Sequence, residues 1–193
     1  MGIPNLELVH GVEKQFFTNH VAHFMLITRL LDLLDENGRV VLVSSDLHKN
    51  APWIDFTNLD GSNHYDPIEF YNISKLANVL FAKSLSRKFS SEGTHQKAFA
   101  VHSGLIPTNI LRYQNMLVQK LFPILAKFFF KNVSQGAATQ CFAAVHPKAS
   151  APRTSYLVDC KESEPHPCAR DINLQDRLWE ETEKIIRRIE ETK

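Results

Sequence analysis

RVVLVSS, residues 39–45, is a short continuous run of β-branched and apolar residues. That pattern marks a strand buried on both faces, as in a parallel sheet, rather than the apolar–polar alternation of a half-exposed strand. Upstream, residues 11–35 place Phe16, Phe17, Val21, Phe24, Met25, Thr28, Leu31 and Leu34 at helical spacing, and Asn37-Gly38 supplies stop chemistry. A long helix is therefore expected to lead into the strand. Downstream, residues 46–69 are rich in Pro, Asn, Asp and Gly without a steady period, which predicts a long loop near the carboxyl edge of the sheet.

Helical spacing returns from Phe70 to about Glu92, with Leu76, Val79, Leu80, Leu85 and Phe89 inward. KAFAVHSG, residues 97–104, then reads as a second buried strand, and TSYLVD, residues 154–159, as a third. Between them LIPTNILRYQNM predicts loop or short helix, and residues 133–145 an Ala-rich helix ending at His146-Pro147. Residues 173–191 form a charged amphipathic helix with Leu174, Leu178, Ile185, Ile186 and Ile189 inward. Helices alternating with strands predict a three-layer α/β sandwich around a parallel sheet, in one domain over residues 1–193. Three recognisable strands fall short of the five or more usual for an open sheet, so the fold is expected to be incomplete.

Bulk properties narrow the function. The 193 residues carry 22 Lys+Arg against 21 Asp+Glu, a formal net charge of +1, with no basic stripe interleaved with aromatics, so nucleic acid is not an expected partner. The 3 cysteines have no knuckle or redox spacing and are expected to be reduced thiols. No basic flank precedes an apolar run at the N-terminus, and Lys120, Lys127 and Lys131 interrupt the most apolar region, residues 117–133. An intracellular, cytoplasmic chain without signal peptide or membrane span is expected.

Candidate chemistry centres on FYNISKLANVLF, residues 70–81, where Tyr71 and Lys75 fall on one helix face a turn apart. A phenol is a poor acid or base at neutral pH, and a neighbouring ammonium would lower its pKa toward the working range. Ser44 and Ser45 end a buried strand at the edge where open parallel sheets bind ligands. Asn19 sits within a helix, where an amide needs a reason. His20 and His23 are three apart but lack a placed third ligand, so no metal is expected; no GxSxG elbow supports a hydrolase.

FFTNHVAHFMLITRLLDLL, RVVLVSS, FYNISKLANVLFAKSLSRKF and AVHSGLIPTNI, in that order, resemble the short-chain dehydrogenase/reductase superfamily, closest to its retinol-dehydrogenase-like and WW-domain-oxidoreductase-like branch. The resemblance covers nearly the whole chain and is most specific in SKLANVLF. It implies a Rossmann-type fold and an oxidoreductase using NAD(P)(H) on a lipophilic carbonyl or alcohol. Tyr71 would exchange a proton with the substrate oxygen, Lys75 would lower the tyrosine pKa and hold the nicotinamide ribose, Asn19 would position a relay water, and Ser45 would orient the substrate. Ser44, Gly104 and Thr108, with Tyr71 and Lys75, are the implied cofactor contacts.

Two departures accompany the resemblance. Ser103-Gly104 stands where the family usually has Pro-Gly, and none of the 7 glycines lies in a GxxxGxG turn, the device that cradles pyrophosphate. MGIPNLELVHG resembles the segment that family members carry directly after an internal Ala-Gly, so the chain is expected to be the C-terminal portion of the fold, without its first βαβ units. NAD and NADP are not distinguished. FPILAKFFFK, residues 122–131, is expected either to be a core helix or to cover an apolar substrate or touch a membrane surface. A homodimer, or pairing with a full-length relative, is the expected assembly, and a catalytically silent binding partner is the alternative role.

Overall fold

The computed structural model describes residues 2–106, 130–150 and 154–192. Pro107, Thr108 and the apolar segment as far as residue 129 lie outside the described residues. A parallel sheet forms the centre: β3 (Arg39–Val43) pairs in parallel with β4 (Lys97–His102), which pairs in parallel with β5 (Tyr156–Val158). The register is fixed by Arg39 opposite Lys97 through Val43 opposite Val101, and by Ala100 opposite Tyr156. These are the three expected strands. A fourth, β6 (Lys161–Glu162), returns antiparallel beside β5 after a turn in which Asp159 and Cys160 take φ of 53° and 58°. Its two exposed polar residues carry no apolar signal.

Helices cover both faces. On one lies α3 (Pro67–Ser91), flanked by a helical rod at Lys14–Leu30 and by α5 (Ile172–Glu191). Phe16, Phe24, Leu76, Leu80, Phe81, Leu85 and Leu178 interlock there with Val40, Leu42, Ala98 and Ala100 of the sheet. On the other lies α4 (Val133–Val145), with a smaller core of Phe99, Val101, Ala143, Ala149 and Leu157. Side chains alternate across the strands, so even-numbered β3 residues feed the first core while Val41 packs on the second. Arg39 ties the layers by donating to the carbonyls of Ala143 and His146, at 3.0 and 2.9 Å, where the end of α4 presents its negative pole.

Several boundaries differ from those expected of the sequence, each for a local reason. The N-terminal rod begins at Lys14, after a small hairpin of β1 (Leu8–Val9) and β2 (Val12–Glu13) turning on His10 and Gly11, both with positive φ. Its course is not uniform: α1 (Lys14–Phe16) passes into a π-turn at Phe17–Val21 before α2 (Ala22–Leu30). The loop expected over residues 46–69 opens with a 3-10 turn at Asp46–Asn50 and yields to α3 three residues early. There Asp66 Oδ1 accepts from the Ile68 and Glu69 amides at 2.8 and 2.7 Å, and Pro67 begins the helix.

β3 is less enclosed than its composition suggests. Among the described residues it is the end strand of the sheet, and Val43 is 46% exposed. The Lys97 amide bonds Gly38 O and the Ser44 amide bonds Val101 O, so even-numbered backbone groups face β4. Alternation turns the N–H and C=O groups of Arg39, Val41 and Val43 to the outer edge.

Candidate functional site

α3 holds the candidate residues Tyr71 and Lys75 in a fixed place because the turn that bears them is pinned to the end of β3. Ser44, buried where β3 ends, donates its hydroxyl to Lys75 O at 2.8 Å. The Lys75 ammonium donates in turn to Val43 O at 3.1 Å, and the Asn78 amide donates to the same carbonyl at 3.2 Å. Strand end and helix turn thus hold one another, and Tyr71, one turn earlier, is set beside Ser45.

Tyr71 is 9% exposed. Burial raises its hydroxyl above the ordinary phenol pKa, opposed by a hydrogen bond with the Ser45 side chain. Burial also brings Lys75 down to about 8, so the ammonium is still largely protonated at pH 7. Its nitrogen lies 5.5 Å from the Tyr71 ring centroid, over the ring. This refines the sequence expectation: the group that pulls the Tyr71 pKa down here is Ser45, while Lys75 aims at a backbone carbonyl. Desolvation outweighs that hydrogen bond.

Asn19 reaches the same helix from the π-turn. Its amide donates to Ser74 Oγ at 3.0 Å, and the Ser74 hydroxyl donates to Tyr71 O at 2.7 Å. A π-turn widens the helix by one residue and releases backbone groups from the regular ladder, a feature common at functional sites. Asn19 O accordingly lies 2.9 Å from His23 Nδ1. His20 points inward and is fully buried, whereas His23 lies to the outside, so the two do not converge. Among the described residues no group of three or more His, Cys, Asp or Glu side chains could hold a metal ion.

The structure therefore gathers Asn19, Ser45, Tyr71 and Lys75 around one turn of α3, with Ser44 behind them turned to the Lys75 carbonyl. Ser45 doubles as the cap of the following turn, its Oγ accepting from the Leu47 amide at 3.3 Å. Gly104 stands at the end of β4 with φ of 84°, and a Cβ there would meet the Lys131 side chain at 2.8 Å. That side chain runs on to Asp159 and Ser103 O, a neighbourhood separate from the Tyr71 contacts. Ser74 and Asn78 are fully buried and complete the network, although neither stands out as a candidate in the sequence. A signal for them does exist: polar residues three and seven positions after Tyr71 on a helix otherwise apolar at that depth.

Hydroxyl, hydroxyl and ammonium in mutual reach can hand a proton to an oxygen bound against Tyr71 and Ser45. The relatives of the chain fit that chemistry. It is 36% identical to human retinol dehydrogenase 14 over 187 residues, covering 95% of this chain and 55% of that protein. The chain belongs to the short-chain dehydrogenase/reductase family. Short-chain dehydrogenase TIC 32 B, chloroplastic, of Brassica napus is 36% identical, with 91% of this chain and 58% of that protein covered. Human polyprenol dehydrogenase is 34% identical over 93% of this chain and 56% of its own length.

Among solved structures, that of an uncharacterized protein from Mycobacterium paratuberculosis matches with a TM-score of 0.72 at 27% identity, covering 94% of this chain and 62% of that one. No model of a known protein family matches the chain. This short-chain dehydrogenase/reductase chain thus spans little more than half the length of these curated relatives. No helix among the described residues is long and apolar enough to cross a membrane.

Proposed function

We propose that the chain carries the proton-transfer half of an NAD(P)(H)-dependent oxidoreductase site acting on a lipophilic carbonyl or alcohol. The observation that supports it is the convergence of Tyr71, Ser45 and Lys75 at the end of β3, with Asn19 joined to the same helix turn through Ser74. Ser45 and Tyr71 hold the substrate oxygen between two hydroxyls. Tyr71 gives that oxygen its proton in reduction and takes it back in oxidation. The Ser45 hydroxyl, the group that opposes the effect of burial on Tyr71, stabilises the phenolate left behind, and the Lys75 ammonium lies over the ring.

The residues present fit the nicotinamide-ribose end of a dinucleotide. The Lys75 ammonium, within reach of solvent and bonded to the Val43 carbonyl beside the Tyr71 ring, can turn a donor to a ribose hydroxyl. When bound, the cofactor supplies the hydride. The 193 residues contain no GxxxGxG turn for the pyrophosphate. Lipophilic substrates are supported by the names of two relatives, retinol dehydrogenase 14 and polyprenol dehydrogenase.

Titration of the purified chain with NADH and NADPH, followed by nucleotide fluorescence, tests the reading directly. Saturable binding is expected, with reduction of an apolar aldehyde that Tyr71→Phe lowers by at least about 100-fold. Equal turnover by Tyr71→Phe sinks the proton-transfer assignment. The open outer edge of β3 supports a second reading, in which the chain acts as a catalytically silent pairing partner of a full-length relative. Failure of both nucleotides to bind the chain alone favours that one.

A further inference from the structure

Beneath the Tyr71–Lys75 turn lies a second polar relay that the proton-transfer chemistry does not use. His20 sits next to Asn19 in the π-turn and is fully buried against Phe16, Phe24 and Phe81, ring centroids 5.3 to 6.0 Å away. Its Nδ1 is 3.4 Å from Asn78 Oδ1 and its Nε2 is 3.1 Å from Thr182 Oγ1 of α5. Asn78 Nδ2 donates to Val43 O, the carbonyl that also accepts from Lys75. One chain of hydrogen bonds thus runs from α5 through the π-turn and α3 to the end of β3.

The Val43 carbonyl sets the direction at its end of the chain. A carbonyl can only accept, so Asn78 must turn its NH₂ to Val43 O and its oxygen to His20. That oxygen can only accept, so a hydrogen bond across the 3.4 Å to His20 needs the ring proton on Nδ1. Burial lowers the His20 pKa to about 3, leaving the ring neutral and Nε2 an acceptor. An Nδ1–H ring requires the Thr182 hydroxyl, which donates to Leu178 O at 2.7 Å, to turn its one proton to Nε2, while the Leu178 carbonyl keeps its place in the helical ladder.

We propose that His20 and Asn78 are positioning residues for Lys75: the imidazole, through its Nδ1–H, holds the Asn78 amide in the one orientation that donates to Val43 O, and that shared carbonyl fixes where the Lys75 ammonium sits. The proposal rests on the reading of Lys75 as a site residue. Packing alone does not explain an imidazole at this place. A fourth phenylalanine ring would fill an aromatic pocket without the cost of desolvating two nitrogens. The π-turn gives the arrangement its geometry. Consecutive residues Asn19 and His20 address Ser74 and Asn78, which are four apart on α3, so one rung meets the Tyr71 turn and the next meets the Lys75 turn.

Nitrogen-15 NMR of the intact native chain reads the tautomer: Nδ1–H at His20 is expected, and an Nε2–H ring overturns the proposal. Lys75 supplies the second measurement, by acetic anhydride labelling at pH 8 scored against exposed Lys148. His20→Asn keeps a donor near the Nδ1 position, whereas His20→Gln offers one near Nε2 and frees the Asn78 amide to turn its oxygen toward the ammonium. An acceptor there holds the proton more tightly, so Lys75 in His20→Gln is expected to label about five-fold more slowly, while His20→Asn labels as the native chain does. Equal Lys75 rates in native chain and both variants overturn the proposal. If neither variant folds, the native spectrum decides alone. Neither measurement requires turnover, so a chain that reduces no carbonyl refutes the proposed function without touching this result.

Discussion

α3 and α2 lie on the same side of the sheet and are built to opposite standards of enclosure. α3 buries side chains around its whole circumference, from Phe70 and Tyr71 through Asn78 and Phe81 to Phe89, because the sheet, the N-terminal rod and α5 all press on it. α2 buries only Phe24, while Leu26 and Leu30, and Leu33 just beyond it, face outward, Leu33 at 80% exposure. β3 shows the same asymmetry within one strand, paired with β4 on one side and, among the described residues, with no strand on the other. The proposed proton-handling residues are therefore concentrated on the most constrained helix, and the least covered flank of the described residues runs along α2 and the outer edge of β3.

Phe81→Ala tests the enclosed side at its centre. Phe81 is buried between Phe24, at 4.6 Å between ring centroids, and Trp179, at 5.6 Å. Its removal is expected to cost about 3–5 kcal/mol in chemical denaturation. A loss below about 1 kcal/mol would mean that the α3 face is no better packed than α2.

The acid limb of stability comes next. His20 has a folded pKa of about 3 against an ordinary value of 6.5, so below pH 6.5 the unfolded chain binds a proton the folded chain refuses. Stability contributed by the neutral ring is therefore present above pH 6.5 and lost as pH falls toward 3. His20→Gln, which has no proton to gain, should flatten the fall of melting temperature between pH 6.5 and 4. An unchanged slope would place the acid sensitivity elsewhere.

Lys75 gives a smaller effect of opposite sense. Its folded pKa is about 8 and its ordinary value 10.5, so at pH 7 the fold carries a desolvated cation, and stability rises as pH climbs from 8 to 10.5. Lys75→Met should raise the melting temperature at pH 7 by about 2–4 °C while abolishing carbonyl reduction, the trade-off expected of a site residue. The Asn78 donor keeps Val43 O satisfied in that variant. Smallest of all, Leu33→Ser on the open flank should stay within about 0.5 kcal/mol of the native chain. A larger loss would show that α2 is covered in solution.

How much of the molecule is legible in its sequence depends on how local each interaction is. β3, β4 and α3 declare themselves because their apolar runs and helical spacing are properties of contiguous residues. Tyr71 and Lys75 do so too, since a helix alone brings them together. The β1–β2 hairpin and β6 are two-residue pairs with little apolar content, and only the positive φ at His10, Gly11, Asp159 and Cys160 turns the chain into them. The π-turn has no composition of its own. Asn19 and His20 occupy it because Ser74 and Asn78, more than fifty positions away, receive them. Ser44 and Ser45 look equivalent in sequence and part company only in three dimensions, one hydroxyl turning to Lys75 O and the other to Tyr71. The Tyr71 pKa moves up rather than down because a sequence shows the neighbouring charge but not the burial that outweighs it.

The π-turn at Phe17–Val21 also behaves as a phase shifter. The same residues are fully able to run on as ordinary α-helix, with the wide turn tightened and none removed. The segment before the turn would then be rotated by about 100° relative to the segment after it. Either Phe16 would leave the core or Asn19 and His20 would leave α3. A chain regularised in this way could keep its helix content in full and still be mistimed, like a gear meshed one tooth out.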